Sequence, residues 1–406
     1  MKDPVWKYKW VQAHEPENFK RVHKWLDVKE FLICKMTGEF VMTQDSAFAA
    51  LIYDIRKGKE GWSREMCDML GVNMNHLAPI KQSTDKVGEI TEKAASELGL
   101  KAGTAVFGGG GDASLIGVGA GSTALGDTHI YCGTSGWVST VVDKSIVDAS
   151  AMVAAIVGAQ PERFNYFAEL ETAGKCLEWV KDHLALDEID IYLEKKHVAE
   201  SQEAVYTSLY DYMAKVISEV PAGSNGVIFT PWLHGNRCPF EDPNARGMFF
   251  NISLETGKTE LIRAVTEGVC FHLRWFLETE EKKIKTSDTI RFVGGGALSD
   301  VTCQILADCI GRKVETVEQP QTSVRSAPRS WWRSASACCR ASMKRNGWCR
   351  RKKPSHPIRL LSRSMTATTP FSRSFTRRTK RTLQPSTANF KTKSAPGPAV
   401  RKLTGA

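Results

Sequence analysis

The sequence predicts an α/β protein, and three stretches carry that prediction. "TIRFVGGGALSDVTCQILADCIGRKVETVEQ" reads strand, glycine turn, helix, strand. Ile290, Phe292 and Val293 form its first strand, Leu298 to Ile310 its helix, and Gly311 the helix stop. "GDTHIYCGTSGWVSTVV" is rich in β-branched and aromatic residues and breaks at Gly133-Thr134-Ser135-Gly136, so it reads as two strands joined by a tight turn. "TELIRAVTEGVCFHLRWFLETEEK" places Ile262, Val265, Val269, Leu273 and Phe276 on one helical stripe facing a core, with Arg263, Glu267 and Arg274 away from it. Alternation of strands and helices is the mark of an α/β architecture.

Nearer the start, "ENFKRVHKWLDVKEFLICKMTG" spaces Val22, Trp25, Leu26, Phe31 and Leu32 close to a helical repeat and ends on Gly38. These residues are expected to form a packed core face. At 406 residues the chain is long enough for two domains with cores of their own. Its apolar share of 42% is ordinary for a globular protein. No apolar run reaches membrane-spanning length, and "MKDPVWKYKW" lacks the apolar centre of a secretion signal. Eleven cysteines without a CxxC pair point to buried thiols in a reducing, cytoplasmic setting rather than to disulfides or zinc.

The net charge of +10 conceals a break in the chain. Residues 322–406 contain 14 Arg and 7 Lys with no Asp or Glu, leaving 34 basic against 45 acidic residues before them. An acidic body therefore ends at about residue 321. Dense arginine can neutralise phosphates, so a nucleic-acid arm is one reading of the tail. The preferred reading is different. "SWWRSASA" can be back-translated into GC-rich codons that read Val-Val-Ala-Val-Gly-Leu-Gly in a shifted frame. The tail is thus expected to be a disordered or out-of-frame version of an ordinary C-terminal segment.

Three glycine-rich turns invite a chemical reading, because glycine lets a ligand approach bare N–H groups. Gly133-Thr134-Ser135-Gly136 is either a nest for phosphate oxygens or a plain hairpin turn. Gly294-Gly295-Gly296-Ala297, read as opening a helix, would aim N–H groups and the positive helix end at a ligand, although a close packing turn looks the same. In "FGGGGDASLIGVGAG" the lone carboxylate, Asp112, is either a helix cap or a base that takes a hydroxyl proton during phosphoryl transfer. The P-loop pattern is absent, since "TAGKC" lacks both its earlier glycine and its hydroxyl.

Taken in order, "FGGGGDASLIGVGAG", "GDTHIYCGTSGWVST", "FTPWLHGNRCPFEDPNARGMFFNI", "AVTEGVCFHLR" and "FVGGGALSDVTCQILADCIGRKV" resemble the FGGY family of carbohydrate kinases, its xylulokinase-like members above all. The upstream "WLDVKEFLICKMTGEFVMTQDSAFAALIYDIRKGKEGWS" resembles the same family. The resemblance implies an actin-like fold of two ribonuclease-H-like α/β domains and an ATP-dependent transfer of phosphate to a sugar hydroxyl. It implies Asp112 as catalytic base, Gly133, Thr134 and Ser135 as a phosphate loop, Gly174 as a nucleotide-contacting turn, and Gly294, Gly295, Gly296 and Ala297 as an adenosine loop. Arg237, within the third motif, is read as structural. Mg²⁺ would bridge the phosphates, and no protein metal ligand is singled out. The expected partner is a small sugar, with no membrane; nucleic acid is the lesser reading, and a homodimer is left open.

Two departures go with the resemblance. The family's leading strand–turn–strand with Asp-x-Gly-Thr is absent, so the first domain is expected to be incomplete. Where many xylulokinases have Asp-Asn, this chain has Asp112-Ala113, which leaves the sugar open. The expected organisation is an N-terminal kinase remnant over 1–121, a nucleotide-binding domain over 127–321 and the basic tail over 322–406. From these departures the chain is expected to be inactive as it stands; a degenerate fragment and a nucleic-acid binder are the alternatives. Deleting 322–406 removes all 21 tail cations, so any salt-sensitive retention on a DNA column is expected to vanish in the shortened chain.

Overall fold

A seven-stranded mixed sheet organises the larger part of the molecule. The computed structural model describes residues 3–184 and 209–322; the tail assigned above to 322–406 lies, past Thr322, outside the described residues. From one edge the strands run Lys313–Thr316, Thr289–Val293, Thr128–Cys132, Gly136–Val142, Phe164–Leu170, Val153–Val157 and Val147–Asp148. The first three are parallel, and the remaining pairs are antiparallel. As predicted, Thr128–Cys132 and Gly136–Val142 form a hairpin across Gly133–Ser135, with Tyr131 opposite Trp137.

Side chains alternate across a strand, and here both faces are covered. Ile130, Cys132, Val138, Tyr166, Ala168, Ile290 and Phe292 point into the main core. The 23-residue helix Lys258–Glu280 covers that face, contributing Ile262, Val265, Val269, Leu273 and Phe276 as the stripe predicts. The helix Asp300–Ile310 lies beside it, closed by Gly311 at φ +67°. On the opposite face Trp137 and Val293, with Tyr131 and Phe167, receive Ile116 and Ala120 from the helix Asp112–Gly119. That helix can lie close because Gly117 has no side chain: a Cβ there would come within 2.8 Å of the His129 ring. His129 is fully buried and accepts a hydrogen bond from Trp137 Nε1 at 3.2 Å. Burial, reinforced by Arg291, pushes its pKa down to about 3, so it stays neutral.

One reading is extended by the structure and one is corrected. Arg263 and Glu267 lie off the apolar stripe of the long helix yet are buried, paired at 2.6 Å. The pair is tolerated because its remaining valences are filled: Arg263 donates to Ile217 O, and Glu267 accepts from Gly223 N and Ser224 Oγ. Near the start, the helix begins only at Val28, capped by the Asp27 carboxylate, and ends on Gly38 at φ +81°. Val22, Trp25 and Leu26 precede it, and Phe31 and Leu32 are 52% and 54% exposed rather than core. Its buried residues are Glu30 and Ile33, because Thr43 N and Oγ1 hold the Glu30 carboxylate inward.

Residues up to 107 add three two-stranded ladders, Met42–Thr43 with Ile80–Lys81, Tyr53–Asp54 with Gly61–Trp62, and Lys86–Glu89 with Ala105–Phe107. They carry small cores of their own around Ile52 and Met42. The described cysteines are unpaired and, apart from half-buried Cys34, buried. Among the described residues, no helix is long and apolar enough to cross a membrane.

Glu280 supplies a test of the core. Its carboxyl is fully buried, accepts from Thr140 Oγ1 at 2.7 Å, and leaves Oε1 without a partner, as is the nearby Tyr166 hydroxyl. Burial drives its pKa well above the ordinary 4.5. The protonated form is favoured in the folded state, so its contribution is complete below the unfolded value and is lost as pH rises through the folded one. E280Q is therefore expected to melt roughly 2–4 °C above wild type at about pH 8 and together with it at about pH 4, measured by calorimetry.

Candidate active site

Three strands run parallel to one another through the sheet and end at the same edge: Thr128–Cys132, Phe164–Leu170 and Thr289–Val293. Each leads into one of the glycine turns picked out from the sequence. This is the edge at which parallel sheets present ligand sites, because the turns there expose backbone N–H groups.

The turns are packed against one another. Gly174 opens the helix Gly174–His183, and its N–H donates to Gly133 O at 2.7 Å. Ala173 N donates to Thr134 O at 3.1 Å. A Cβ on Gly174 would collide with Gly133 O. Gly294, at φ +96°, lies against Cys132, where a Cβ would be 2.5 Å from the carbonyl oxygen. A Cβ on Gly296 would be 3.0 Å from the Cys132 side chain. Gly294 N in turn donates to Pro320 O at 3.0 Å. Gly133, Thr134, Ser135, Gly174, Gly294 and Gly296 are thus gathered around the Cys132–Gly133 backbone.

The Gly294 turn differs from expectation in one respect. Gly295–Leu298 forms a short 3₁₀ turn, and the helix starts afterwards at Asp300, capped by Ser299 Oγ accepting from Thr302 N. The glycines therefore do not carry the helix dipole themselves. Gly295 is open, with nothing within 4 Å of its Cβ position, while Ala297 is fully buried.

Asp112 is the first residue of its helix, with Gly111 as cap. Its carboxylate accepts from Ala113 N at 2.8 Å. Tyr131 links it to the glycine turns. The tyrosine ring stacks on Trp137 with centroids 4.0 Å apart, and its hydroxyl occupies the space a Gly133 side chain would need. Burial raises the Tyr131 pKa first, and the Asp112 charge raises it further. The Asp112 helix and the 133–135 turn therefore meet at Tyr131, which packs against the cluster containing Ile116 and Ala120 on one side and against Gly133 on the other. Arg237 pairs with Glu169 at 2.6 Å and lies 3.8 Å from Glu171, at the end of the strand that leads to Gly174.

Comparison with known proteins agrees with this architecture. Residues 1–119 match the N-terminal domain of the FGGY family of carbohydrate kinases, and residues 129–325 match its C-terminal domain. The chain belongs to the FGGY family of carbohydrate kinases. It is 27% identical over 335 residues to a xylulose kinase of Bacillus subtilis, covering 81% of this chain and 63% of that protein. It is 26% identical over 325 residues to the gluconokinase of Bacillus subtilis, covering 80% of this chain and 61% of that one. The chain thus spans about three fifths of the length of such FGGY relatives. In fold it superposes on a ligand-bound xylulose kinase from Lactobacillus acidophilus with a TM-score of 0.79 at 24% identity, covering 93% of this chain and 72% of that one. A gluconate kinase from the same organism gives 0.78 at 24% identity, with the same coverage of both chains. The fold is accordingly the actin-like one of these FGGY kinases.

Sequence reasoning missed Tyr131 and Asp45. Tyr131 stood in the quoted strand, but its alternation toward the Asp112 face becomes meaningful only once that helix is placed. Asp45 hydrogen-bonds Gly111 across a sequence separation of 66 residues, for which no local signal exists. The packing of Gly174 yields a direct test. G174A and G294A should remain folded by circular dichroism but lose at least about tenfold in ADP affinity by calorimetry, since either methyl displaces the turn beneath it.

Proposed function

We propose that the 133–135, 174 and 294–297 turns bind ATP in a cleft between the 1–121 and 127–321 parts, and that Asp112 accepts the proton of a sugar hydroxyl as it attacks the terminal phosphoryl group. The observation that carries this reading is the packing of the Gly174 and Gly294 turns on Cys132–Gly133, with the Asp112 helix meeting the same strand end at Tyr131. The missing Cβ atoms let these turns close on one another, and the open Gly295 leaves space for a nucleotide beside them. Thr134 and Ser135 add hydroxyls to that cradle.

In this reading the chain's residues do two things: they position the nucleotide and they move one proton. Backbone N–H groups of Thr134 and Ser135 hold the phosphate oxygens, the Gly133 N–H being donated to Ser135 O, and the open Gly295 leaves space for the base and ribose. Asp112 takes the hydroxyl proton as the oxygen–phosphorus bond forms, while the bond from the terminal phosphorus to the ADP oxygen breaks. Among the described residues no group of three or more His, Cys, Asp or Glu could hold a metal. Mg²⁺ would arrive on the nucleotide phosphates and neutralise their charge there.

A pentulose such as xylulose, or a related ketose or polyol, is the proposed acceptor class. Relatives named xylulose kinase and gluconokinase support a sugar or sugar acid. Ala113 beside Asp112 keeps the choice among them open. The test is the purified chain with ATP, Mg²⁺ and a panel of ketoses, polyols and aldonates, following ADP release, together with ADP binding by calorimetry. Sugar-dependent ADP release is the result this reading requires, and it would overturn the inactivity expected from the sequence. ADP binding with no sugar dependence would mark a binding-only protein, and neither signal would mark a non-catalytic fragment. In an active chain, D112N should lower kcat by about 10²- to 10⁴-fold and leave ADP affinity unchanged.

A further inference from the structure

We propose that Asp45 is a positioning residue for Asp112, clamping the glycine loop so that the catalytic carboxylate is held in register with the phosphate turn. The proposal rests on the kinase reading above. Asp45 lies in the short helix Gln44–Ala49, which packs on the sheet strand Val153–Val157. Its side chain is 8% exposed. Oδ2 accepts two hydrogen bonds from the Asp112 loop, from Gly111 N at 2.6 Å and from Ser114 Oγ at 2.7 Å. The donors therefore bracket Asp112 on both sides.

The clamp itself is held from behind. Oδ1 of Asp45 and Oε1 of buried Glu30 both lie 2.7 Å from the Thr43 hydroxyl. Its single proton can serve only one of them at a time. Lys29 supplies the balancing charge, with Nζ 2.8 Å from Glu30 and 3.6 Å from Asp45. Burial opposes ionisation of Asp45, but Lys29 and the donors from Thr43, Gly111 and Ser114 outweigh it and lower its pKa. An ionised acceptor makes the stronger hydrogen bonds.

Two of the glycines before Asp112 are held in close contact. A Cβ on Gly110 would lie 2.9 Å from Ser114 Oγ and 3.0 Å from Asp45 Oδ2. One on Gly108 would lie 2.8 Å from Gln82 O. Gly108 N and Gly109 N donate to Asp85 O and Ser83 O. On the sheet side, Asn165 Nδ2 reaches Ala113 O at 3.5 Å. Asp112 is thus suspended between the 43–45 and 82–85 segments and the sheet, and Asp45 supplies the charged contact. A displacement of about 1 Å at such a base can cost about 10² in rate.

The test compares wild type, D45A, D45N and S114A in the full chain. D45A should lower kcat about 100-fold while KM for ATP and the ADP dissociation constant stay within about twofold, because the nucleotide turns are not touched. D45N, which keeps an oxygen for Gly111 and Ser114, should recover at least about tenfold of that loss. S114A should show a smaller fall of the same kind. Hydrogen exchange of a peptide spanning 107–115 should accelerate in D45A, while exchange at 128–140 does not change. An unaltered kcat in D45A, or equal loss of ADP binding and kcat, overturns the proposal. If wild type itself shows no sugar-dependent turnover, the kinase reading fails. Exchange then still decides the anchor: unaltered protection of 107–115 in D45A and S114A overturns it, and selective loss with ADP binding kept supports it.

Discussion

The close approach of backbone to backbone at Cys132–Gly133 is the constraint on which the rest of the structure depends. Gly174 and Gly294 press on this peptide from two directions, and neither position has room for a methyl group. Strand pairing sets the approach. Gly136 sits opposite both Cys132 and Leu170, so the strands that precede these turns are in register at the same edge. An edge defined by main chain alone keeps its shape without ordering flexible side chains, which lowers the entropic cost of binding there.

The two faces of the sheet divide the labour. The long helix Lys258–Glu280 covers one face with the main core, where Arg263 is paired with Glu267 while Glu280 Oε1 has no partner. The opposite face receives a short, glycine-containing helix, Asp112–Gly119, whose first residue is the acidic one. Gly117 over His129 brings that helix down onto the sheet. A neutral, fully buried histidine makes a compact platform for it, since the ring adds no charge beneath the helix. The Asp112 helix is therefore placed by packing and by hydrogen bonds to Asp45, while the glycine turns are placed by strand pairing and close backbone contact.

The polar cluster of Lys29, Glu30, Thr43 and Asp45 explains why an early helix turns a glutamate inward and leaves Phe31 and Leu32 exposed. A buried carboxylate needs partners for its oxygens. Here Thr43 and Lys29 supply Oε1 of Glu30, while Oε2 has none, and the apolar side chains turn outward as the carboxylate turns in. Periodicity counts apolar spacing and cannot see that a polar partner, 13 residues away, outbids it.

By itself the sequence determined the α/β class, the hairpin at 128–142, the core stripe of the long helix and the positions of the glycine turns. These follow from local spacing: period two for strands, three to four for helices, and glycine where no side chain fits. Five motifs in family order also named the kinase fold that the comparisons show. Only the tertiary structure decided which turns meet, that Tyr131 packs between the Asp112 helix and Gly133, that Asp45 holds Gly111, and that Arg263 and Glu267 are buried. Each of these joins residues distant in sequence or reverses a polarity rule through a specific partner. Such pairings depend on the register of the sheet and on which helix covers which face, and no local pattern encodes either.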